Sequence, residues 1–258
     1  MRGAINQAMR IEGEYMGKTP WREAVKLIKP YVVKIYTPRG SGTGFLCAYT
    51  EDKELCGIAT AAHVIDESHY WVVAIRVHHY DSGKTKLLRP ADRIIWLDSN
   101  LDTAVILFQK GNLSLPDTTL PFIAEKKHLP VGEEIGWVGF PAVSSQNLCF
   151  FTGRTSCWRD DSRTYLVDGV AINGVSGGPA FHTGSKGVRV IGSVSAYLPN
   201  RVGSTPGLAM ISDVDQYLKV IEEIKDWEEA KKKETPPVEP KEQKQDKDGS
   251  GESQLSKG

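Results

Sequence analysis

The sequence has no excess of charge of either sign and no long apolar run. Its 258 residues carry 32 basic and 32 acidic side chains, so no field of one sign draws the protein to nucleic acid or to anionic lipid. No segment reaches the length of a membrane span, and residues 1–10 lack the continuous apolar core of a secretory signal. Taking residue 1 as the native start, we expect a soluble, cytoplasmic protein that binds neither nucleic acid nor membrane.

Cysteine is also scarce. The four cysteines are Cys47, Cys56, Cys149 and Cys157. No two of them have the C-x-x-C spacing of a zinc site. Cys47 and Cys56 would allow one disulfide across a hairpin, but a cytosolic compartment favours reduced thiols. The adjacent residues His78 and His79 would point to opposite faces of a strand, so they do not form a metal pair. No metal site and no cofactor is predicted.

Short β-branched and aromatic runs, broken by turn residues, fill most of the chain between residues 31 and 211. Strands at this spacing indicate a barrel or a sandwich rather than βαβ units. The runs are 31–36, 44–48, 55–60, 70–77, 93–97, 104–108, 134–139, 148–156, 164–167, 178–181, 188–196 and 207–211. About twelve strands, divided equally by a connection near residues 113–121, predict an all-β fold of two six-stranded antiparallel barrels.

Helical patterns flank the strands. Thr19-Pro20-Trp21 predicts a helix start with threonine as the cap, and an apolar stripe from Val214 to Trp227 predicts a C-terminal helix. The charged segment beyond it has few aliphatic side chains, which predicts a disordered tail or, alternatively, a linker that binds a protein partner. The predicted units are residues 1–30 with a short helix, 31–116 and 117–212 for the barrels, 213–233 for the helix and 234–258 for the tail.

The most informative motif is a glycine-rich turn around a serine. In residues 172–181, INGVSGGPAF, Ser176 lies among glycines and precedes an apolar strand. Glycines form tight turns at low cost, and a backbone without Cβ atoms lets a ligand approach its amides. Such a turn suits a nucleophile together with hydrogen-bond donors for an oxyanion. Because a serine alone is a weak nucleophile, this interpretation requires an imidazole and a carboxylate elsewhere in the chain.

Both groups are present upstream. His63 lies near the end of the small-residue run IATAAHVI, and Asp102 opens the apolar run DTAVILF. Asp98 is typical of a turn, and Asp66 follows His63 too closely to reach its ring in an extended chain. The order His, Asp, Ser is that of the chymotrypsin triad rather than that of subtilisin or the α/β-hydrolases. The site would lie in the cleft between a first barrel with the His-Asp pair and a second barrel with Ser176.

The segments TAAHV, LDTAVI and GVSGGPAF resemble the trypsin/chymotrypsin-like serine peptidases, and VVKIYTPRGSGTGF and GLAMIS are most similar to the HtrA/Deg-type protease domain. We expect no PDZ domain. The resemblance implies a chymotrypsin-like fold and a serine endopeptidase that forms an acyl-enzyme. It assigns Ser176 as the nucleophile, His63 as the base and Asp102 as the acid that orients it. The backbone amides of Gly174 and Ser176 would form the oxyanion hole.

The same resemblance implies a primary substrate pocket. Its walls would be Val170, Ala171, Ile172, Ser195, Ala196 and Tyr197. No acid falls at the usual base of this pocket, so we expect a small-to-medium apolar side chain before the scissile bond. Asp168 is the nearest acid, and if it turned inward the preference would become basic. The chain departs from the family pattern where Asn173 meets Gly174 without an intervening residue and where Val175 precedes the nucleophile.

Two alternatives to a peptidase stay open. If the oxyanion hole were collapsed, the same fold would be a catalytically silent module that only holds peptides in its cleft. An esterase with the same triad would share the chemistry up to the acyl-enzyme. All three catalytic side chains are present, which favours a peptidase whose partner is a protein or peptide substrate.

Overall fold

The computed structural model of the chain describes residues 18–198 and 208–234. Helix α1 (Trp21–Ile28) comes first. Its N-cap residue is Pro20, whose carbonyl oxygen accepts the amides of Glu23 and Ala24 at 2.9 Å. No side chain caps the helix, so the prediction that Thr19 is the cap is wrong. The helix begins one residue later, where the proline carbonyl already receives the first amides of the turn.

The first β-unit is an antiparallel sheet of seven strands. They are β1 (Val32–Thr37), β2 (Gly40–Tyr49), β3 (Leu55–Thr60), β4 (Ile75–His79), β5 (Thr85–Leu88), β6 (Arg93–Asp98) and β7 (Thr103–Gln109). Their order in the sheet is β5-β4-β1-β2-β3-β7-β6. The predicted count of six is corrected to seven, because β5 has only four residues and so short a run shows no recognisable alternation.

The two edge strands of this sheet follow each other in the chain, and the side chain of Arg93 joins them. Its guanidinium donates hydrogen bonds to the carbonyl oxygens of Leu88 at 2.9 Å, Ser68 at 3.0 Å and Val73 at 2.7 Å. Hydrogen bonds from a charged donor are stronger than neutral ones. The side chain of Arg93 therefore connects the edge strands β5 and β6. In a closed barrel, backbone hydrogen bonds would connect these two strands.

A second correction concerns the segment that follows β3. The sequence predicts a strand over residues 70–77, but helix α2 (Ala62–Tyr70) occupies the start of this region and β4 begins only at Ile75. A helix of nine residues has too few turns for an apolar periodicity to stand out. The helix matters for the site because His63 is its second residue.

The second β-unit is a closed antiparallel barrel of six strands, as predicted. They are β8 (Glu134–Gly139), β9 (Cys149–Arg159), β10 (Thr164–Asp168), β11 (Pro179–Gly184), β12 (Gly187–Leu198) and β13 (Leu208–Asp213). Around the barrel their order is β10-β13-β12-β11-β8-β9. The all-β class with a C-terminal helix is thus confirmed. The residue boundaries proposed between the units stay a prediction.

Each β-unit has its own apolar core, and a third core lies between them. The first core includes Ile35, Leu46, Ile58 and Ile106. The core of the barrel includes Trp137, Tyr165, Ile191 and Ile211. The third joins Phe45 and Val105 of the first sheet to Val138 and Phe181 of the barrel and to Ile28 of α1. Burial of this shared apolar surface holds the two β-units against each other, and with them the cleft where their ends meet.

Helix α3 (Asp215–Glu234) covers the third core from outside. Its fully buried Tyr217 donates a hydrogen bond to the carbonyl oxygen of Thr60 at 2.9 Å and lies 2.6 Å from the hydroxyl of Ser193. Tyr217 therefore touches both β-units. In the part of the chain that the structure describes, no helix is both long and apolar enough to cross a membrane. The charged tail, with the partner role predicted for it, lies outside the described residues.

All four cysteines are free thiols. Cys47 and Cys56 lie on neighbouring strands but belong to different cores. In the register of β2 and β3, Cys56 faces Tyr49 rather than Cys47, so no disulfide crosses the hairpin. Burial raises the pKa of Cys56 to about 12 and also raises the pKa of Cys47. Both thiols are therefore protonated, and unreactive, at neutral pH.

Candidate active site

The first sheet brings an imidazole and a carboxylate to one point. His63 lies in the first turn of α2, directly after β3, and Asp102 immediately precedes β7. Nδ1 of His63 lies 2.9 Å from each carboxylate oxygen of Asp102, and the backbone amide of His63 donates to Oδ1 at 3.0 Å. Asp102 has a φ of 50°, a left-handed conformation that aspartate tolerates better than most residues. Its carboxylate thus holds both the ring and the backbone of His63.

This environment raises the pKa of His63 above its ordinary value. The hydrogen bond to Asp102 is the largest cause, burial acts in the opposite direction, and the charges of Asp102 and Asp66 add to the increase. The His63 side chain is 48% exposed and that of Asp102 is 23% exposed, so the ring has one face open to solvent. Its Nε2 atom forms no hydrogen bond with any described residue, which leaves this nitrogen free to accept a proton.

The two rival carboxylates have other partners. Asp98 is the last residue of β6, and its carboxylate accepts the amides of Asn100 at 2.9 Å and Leu101 at 3.1 Å in the turn that follows. Asp66 accepts the amide of Glu67 at 2.6 Å. The sequence analysis excluded Asp66 on the assumption that the chain is extended there, and this assumption is wrong because Asp66 lies within α2. Its carboxylate is nevertheless not bonded to the imidazole of His63.

Ser195, on β12 of the barrel, links the carboxylate to Ser176. Its hydroxyl donates a short hydrogen bond to Oδ2 of Asp102. Its carbonyl oxygen accepts a hydrogen bond from Oγ of Ser176 at 3.4 Å. The sequence placed Ser195 only in the pocket wall. Its contact with Asp102 joins residues 93 positions apart in the chain, and no local motif carries that information.

The turn that presents Ser176 is tightly bonded. The amide of Val175 donates to the carbonyl oxygen of Ile172 at 3.0 Å, and that of Gly178 donates to Val175 at 2.9 Å. Ser176 and His63 line the same cavity. Within residues 18–198 and 208–234 their side chains form no hydrogen bond with each other, because the Ser176 hydroxyl is turned to Ser195. The three residues singled out by the sequence therefore meet at one cleft between the β-units.

The backbone amides of Gly174 and Ser176 donate no hydrogen bond to any described residue. The carbonyl oxygen of Asn173 accepts the amide of Ala142 at 2.7 Å, and the carbonyl oxygen of Gly174 accepts the hydroxyl of Thr43 at 2.8 Å. Gly174 has a φ of 92°, and a Cβ there would lie 2.3 Å from a backbone oxygen, so only glycine fits. Because neither amide is bonded to a described residue, both are available to an incoming acceptor.

A cavity of about 240 Å³ lies beside these amides. Its lining residues are His63, Ala171, Ile172, Asn173, Ser176, Val194, Ser195 and Ala196. Val170, named from the sequence, is 40% exposed and does not line it, while the side chain of Tyr197 lies outside the described part. Asn173 and Val194 are additions that the sequence did not indicate. Asp168 is exposed, and none of the described lining residues is a carboxylate.

The family model of the trypsin-like peptidase domain matches residues 42–192 of the chain, and this match establishes the family. The chain belongs to the trypsin-like peptidases. The match includes the segments TAAHV, LDTAVI and GVSGGPAF, whereas GLAMIS and most of VVKIYTPRGSGTGF lie outside it. No curated protein sequence matches this trypsin-like peptidase.

Three solved structures illustrate the similarity in fold. The serine endoprotease from Yersinia pestis is 20% identical with a TM-score of 0.59, and the match covers 81% of this chain and 67% of that one. The inactive serine-to-alanine mutant of Rv3671c from M. tuberculosis H37Rv is 20% identical with a TM-score of 0.54, and the match covers 78% of this chain and 89% of that one. Deg5 is 19% identical with a TM-score of 0.56, and the match covers 76% of this chain and 90% of that one. At these identities the likeness establishes the fold alone, which is the predicted chymotrypsin-like fold.

Proposed function

We propose that the protein is a serine endopeptidase that cleaves peptide bonds through an acyl-enzyme. The observation that carries this proposal is the pairing of His63 Nδ1 with both oxygens of Asp102 at 2.9 Å, beside a cavity that His63 shares with Ser176. This pairing leaves Nε2 as the basic atom of the ring and keeps the proton on Nδ1. An imidazole held in this way is the group that a serine nucleophile needs.

The reaction begins with rotation of the Ser176 hydroxyl from Ser195 towards Nε2 of His63. Oγ of Ser176 then attacks the carbonyl carbon of the scissile bond while Nε2 removes its proton, and Asp102 stabilises the resulting imidazolium. The amides of Gly174 and Ser176 donate hydrogen bonds to the oxyanion. His63 next gives the proton to the leaving amine, and the acyl-enzyme forms. A water molecule, deprotonated by the same nitrogen, releases the acid and restores the serine.

A fluorophosphonate probe tests this proposal. Oγ of Ser176 is expected to attack phosphorus and displace fluoride, giving a single covalent adduct that peptide mapping locates at residue 176. The measurements are intact mass and mapping, and protein unfolded in urea is the control for unspecific labelling. A catalytically silent module would form no adduct. An esterase would form the adduct but would cleave ester substrates without cleaving the matching peptide.

We further propose that the residue before the scissile bond has a small-to-medium apolar side chain. The walls of the cavity are mainly Ala171, Ile172, Val194 and Ala196. The cavity volume of about 240 Å³ is below the roughly 300–1,000 Å³ of most ligand pockets. A cationic side chain would lose its hydration there without gaining a carboxylate partner, which is costly.

Peptides that differ only in this residue are expected to follow that preference. With alanine, valine or leucine before the cut, kcat/KM should exceed the value with lysine by about 100-fold, because an unpaired buried charge costs several kcal/mol. The measurement is initial rates on the matched peptides. The Asp168→Asn variant is the control, and it should leave the preference unchanged. Faster cleavage after lysine, lost in Asp168→Asn, would show that this acid turns into the cavity and would refute the proposal.

A further inference from the structure

We propose that Thr43 is a positioning residue for the oxyanion hole. Its side-chain hydroxyl, on the first sheet, sets the conformation of the loop that presents the amides of Gly174 and Ser176. This inference rests on the endopeptidase function proposed above. It adds to that function a side chain that belongs to none of the three catalytic segments.

Thr43 is fully buried in β2, and its side-chain hydroxyl and backbone amide bond the second β-unit. Its Oγ1 donates to the carbonyl oxygen of Gly174 at 2.8 Å and accepts the amide of Phe140 at 3.1 Å. Its own amide donates to the carbonyl oxygen of Ser176 at 2.8 Å. Its carbonyl oxygen accepts the hydroxyl of Thr60 at 2.7 Å. One residue of the first sheet thus bonds the oxyanion loop twice and the end of β8 once.

The hydroxyl matters because Gly174 cannot hold its own conformation. Without a Cβ, a glycine rotates freely about both backbone torsions unless its neighbours are fixed. At Gly174 the fixed points are the two flanking carbonyl oxygens, one held by Ala142 and the other by the Thr43 hydroxyl. If the hydroxyl is removed, the Gly174 carbonyl loses its partner, and the peptide unit is free to turn. That unit carries the amide of Val175, so its turning changes the backbone torsions of Gly174 and Val175 and thereby tilts the amides of Gly174 and Ser176 on either side of it.

The surroundings leave little room for a substitute contact. A Cβ on Gly139 would lie 2.9 Å from Oγ1 of Thr43 and 2.8 Å from Cγ1 of Val175. The side chains of Thr43 and Val175 therefore pack this close to residue 139 only because it is a glycine. In Thr43→Val, a methyl group would face the Gly174 oxygen at hydrogen-bond distance. Because carbon and oxygen do not approach that closely, the loop must move. The backbone bond from residue 43 to Ser176 does not depend on the side chain and should persist.

The test compares variants that differ in the hydroxyl. Thr43→Val and Thr43→Ala lack it, and Thr43→Ser keeps it. We expect kcat on a peptide substrate to fall about 30-fold in the first two, less than the 10²–10³ lost when an oxyanion donor is deleted outright, with KM within about twofold. Thr43→Ser should stay within about threefold of the wild type. Thr155→Val is the matched control, since its buried hydroxyl has no hydrogen-bond partner among the described residues, and it should keep the wild-type kcat.

Amide hydrogen exchange over residues 172–178 provides a readout that does not depend on activity. It should accelerate at least tenfold in Thr43→Val and stay at the wild-type rate in Thr43→Ser. A wild-type kcat in Thr43→Val, or a Thr43→Ser variant as slow as Thr43→Val, would overturn the inference. If Thr43→Val does not fold, Thr43→Ala against Thr43→Ser decides the same question. If the wild type does not react with fluorophosphonate, the endopeptidase proposal fails, and hydrogen exchange alone then decides whether Thr43 orders the loop.

Discussion

Replacing Ser176 with alanine is expected to lower kcat on a peptide substrate by roughly a million-fold. In the proposed reaction Oγ of Ser176 forms the acyl-enzyme, and an alanine methyl group cannot replace it. The cavity walls and the His63-Asp102 pair stay in place, so KM should change little. The measurement is single-turnover cleavage of a peptide with an apolar residue before the scissile bond, followed by mass spectrometry of the products.

Ser82→Ala is the control for the loss of a serine hydroxyl. Ser82 is exposed in the turn between β4 and β5, where its hydroxyl contacts His79, far along the chain from the cleft. This variant should cleave at the wild-type rate. Residual cleavage by Ser176→Ala within about tenfold of the wild type would show that another group attacks the peptide bond, and the role assigned to Ser176 would be abandoned.

The second large effect is expected from Asp102→Asn, which should lower kcat roughly ten-thousand-fold. Asparagine has nearly the same shape and also tolerates the left-handed backbone of residue 102. Its amide group, however, would donate to Nδ1 of His63. The ring proton would then move to Nε2, the atom that must accept the proton of Ser176. Steady-state kinetics on the same peptide measure the loss, and an unchanged circular dichroism spectrum confirms that the fold is kept.

Asp98→Asn is the matched control, because this nearby carboxylate bonds only the backbone of its own turn among the described residues. Both amides donate to Oδ1, and an asparagine oxygen can still accept them, so activity should stay within about threefold of the wild type. A loss of less than tenfold in Asp102→Asn would mean that Asp102 does not set the ring tautomer. An equal loss in both variants would point to damage of the shared loop instead.

The pH dependence of activity gives a second readout of the same pair. His63 acts as a base only when its ring is neutral, and its pKa lies above the ordinary value of 6.5. Activity should therefore fall as the pH drops through that raised pKa, with the midpoint of the acid limb above 6.5. The hydrogen bond to Asp102 is the main cause of the increase, so Asp102→Asn should move the midpoint to lower pH. A midpoint below 6.5 in the wild type would contradict this account of the pair.

Local patterns predicted the parts of this protein that depend on short stretches of chain. The turn around Ser176 was recognisable because glycines at 174 and 177 are required by φ values of 92° and 81°. The barrel strands were recognisable because β-branched and aromatic residues recur between turn residues. The four-residue β5 and the short helix α2 were not, since neither is long enough to show a period. The prediction that Thr19 caps helix α1 was wrong because the helix begins one residue later, with Pro20 as its N-cap residue.

The sequence by itself determined which groups we propose for the chemistry and in what order they occur: an imidazole, a carboxylate and a hydroxyl, each among small residues. Only the tertiary structure decided what surrounds them, including the hydrogen bond from Ser195 to Asp102, that from Thr43 to Gly174, and a cavity whose described lining residues include no carboxylate. The physical reason is that these contacts join residues 93 and 131 positions apart in the chain. Such contacts form only when the third core brings the two β-units together, and no periodicity within either unit records that packing.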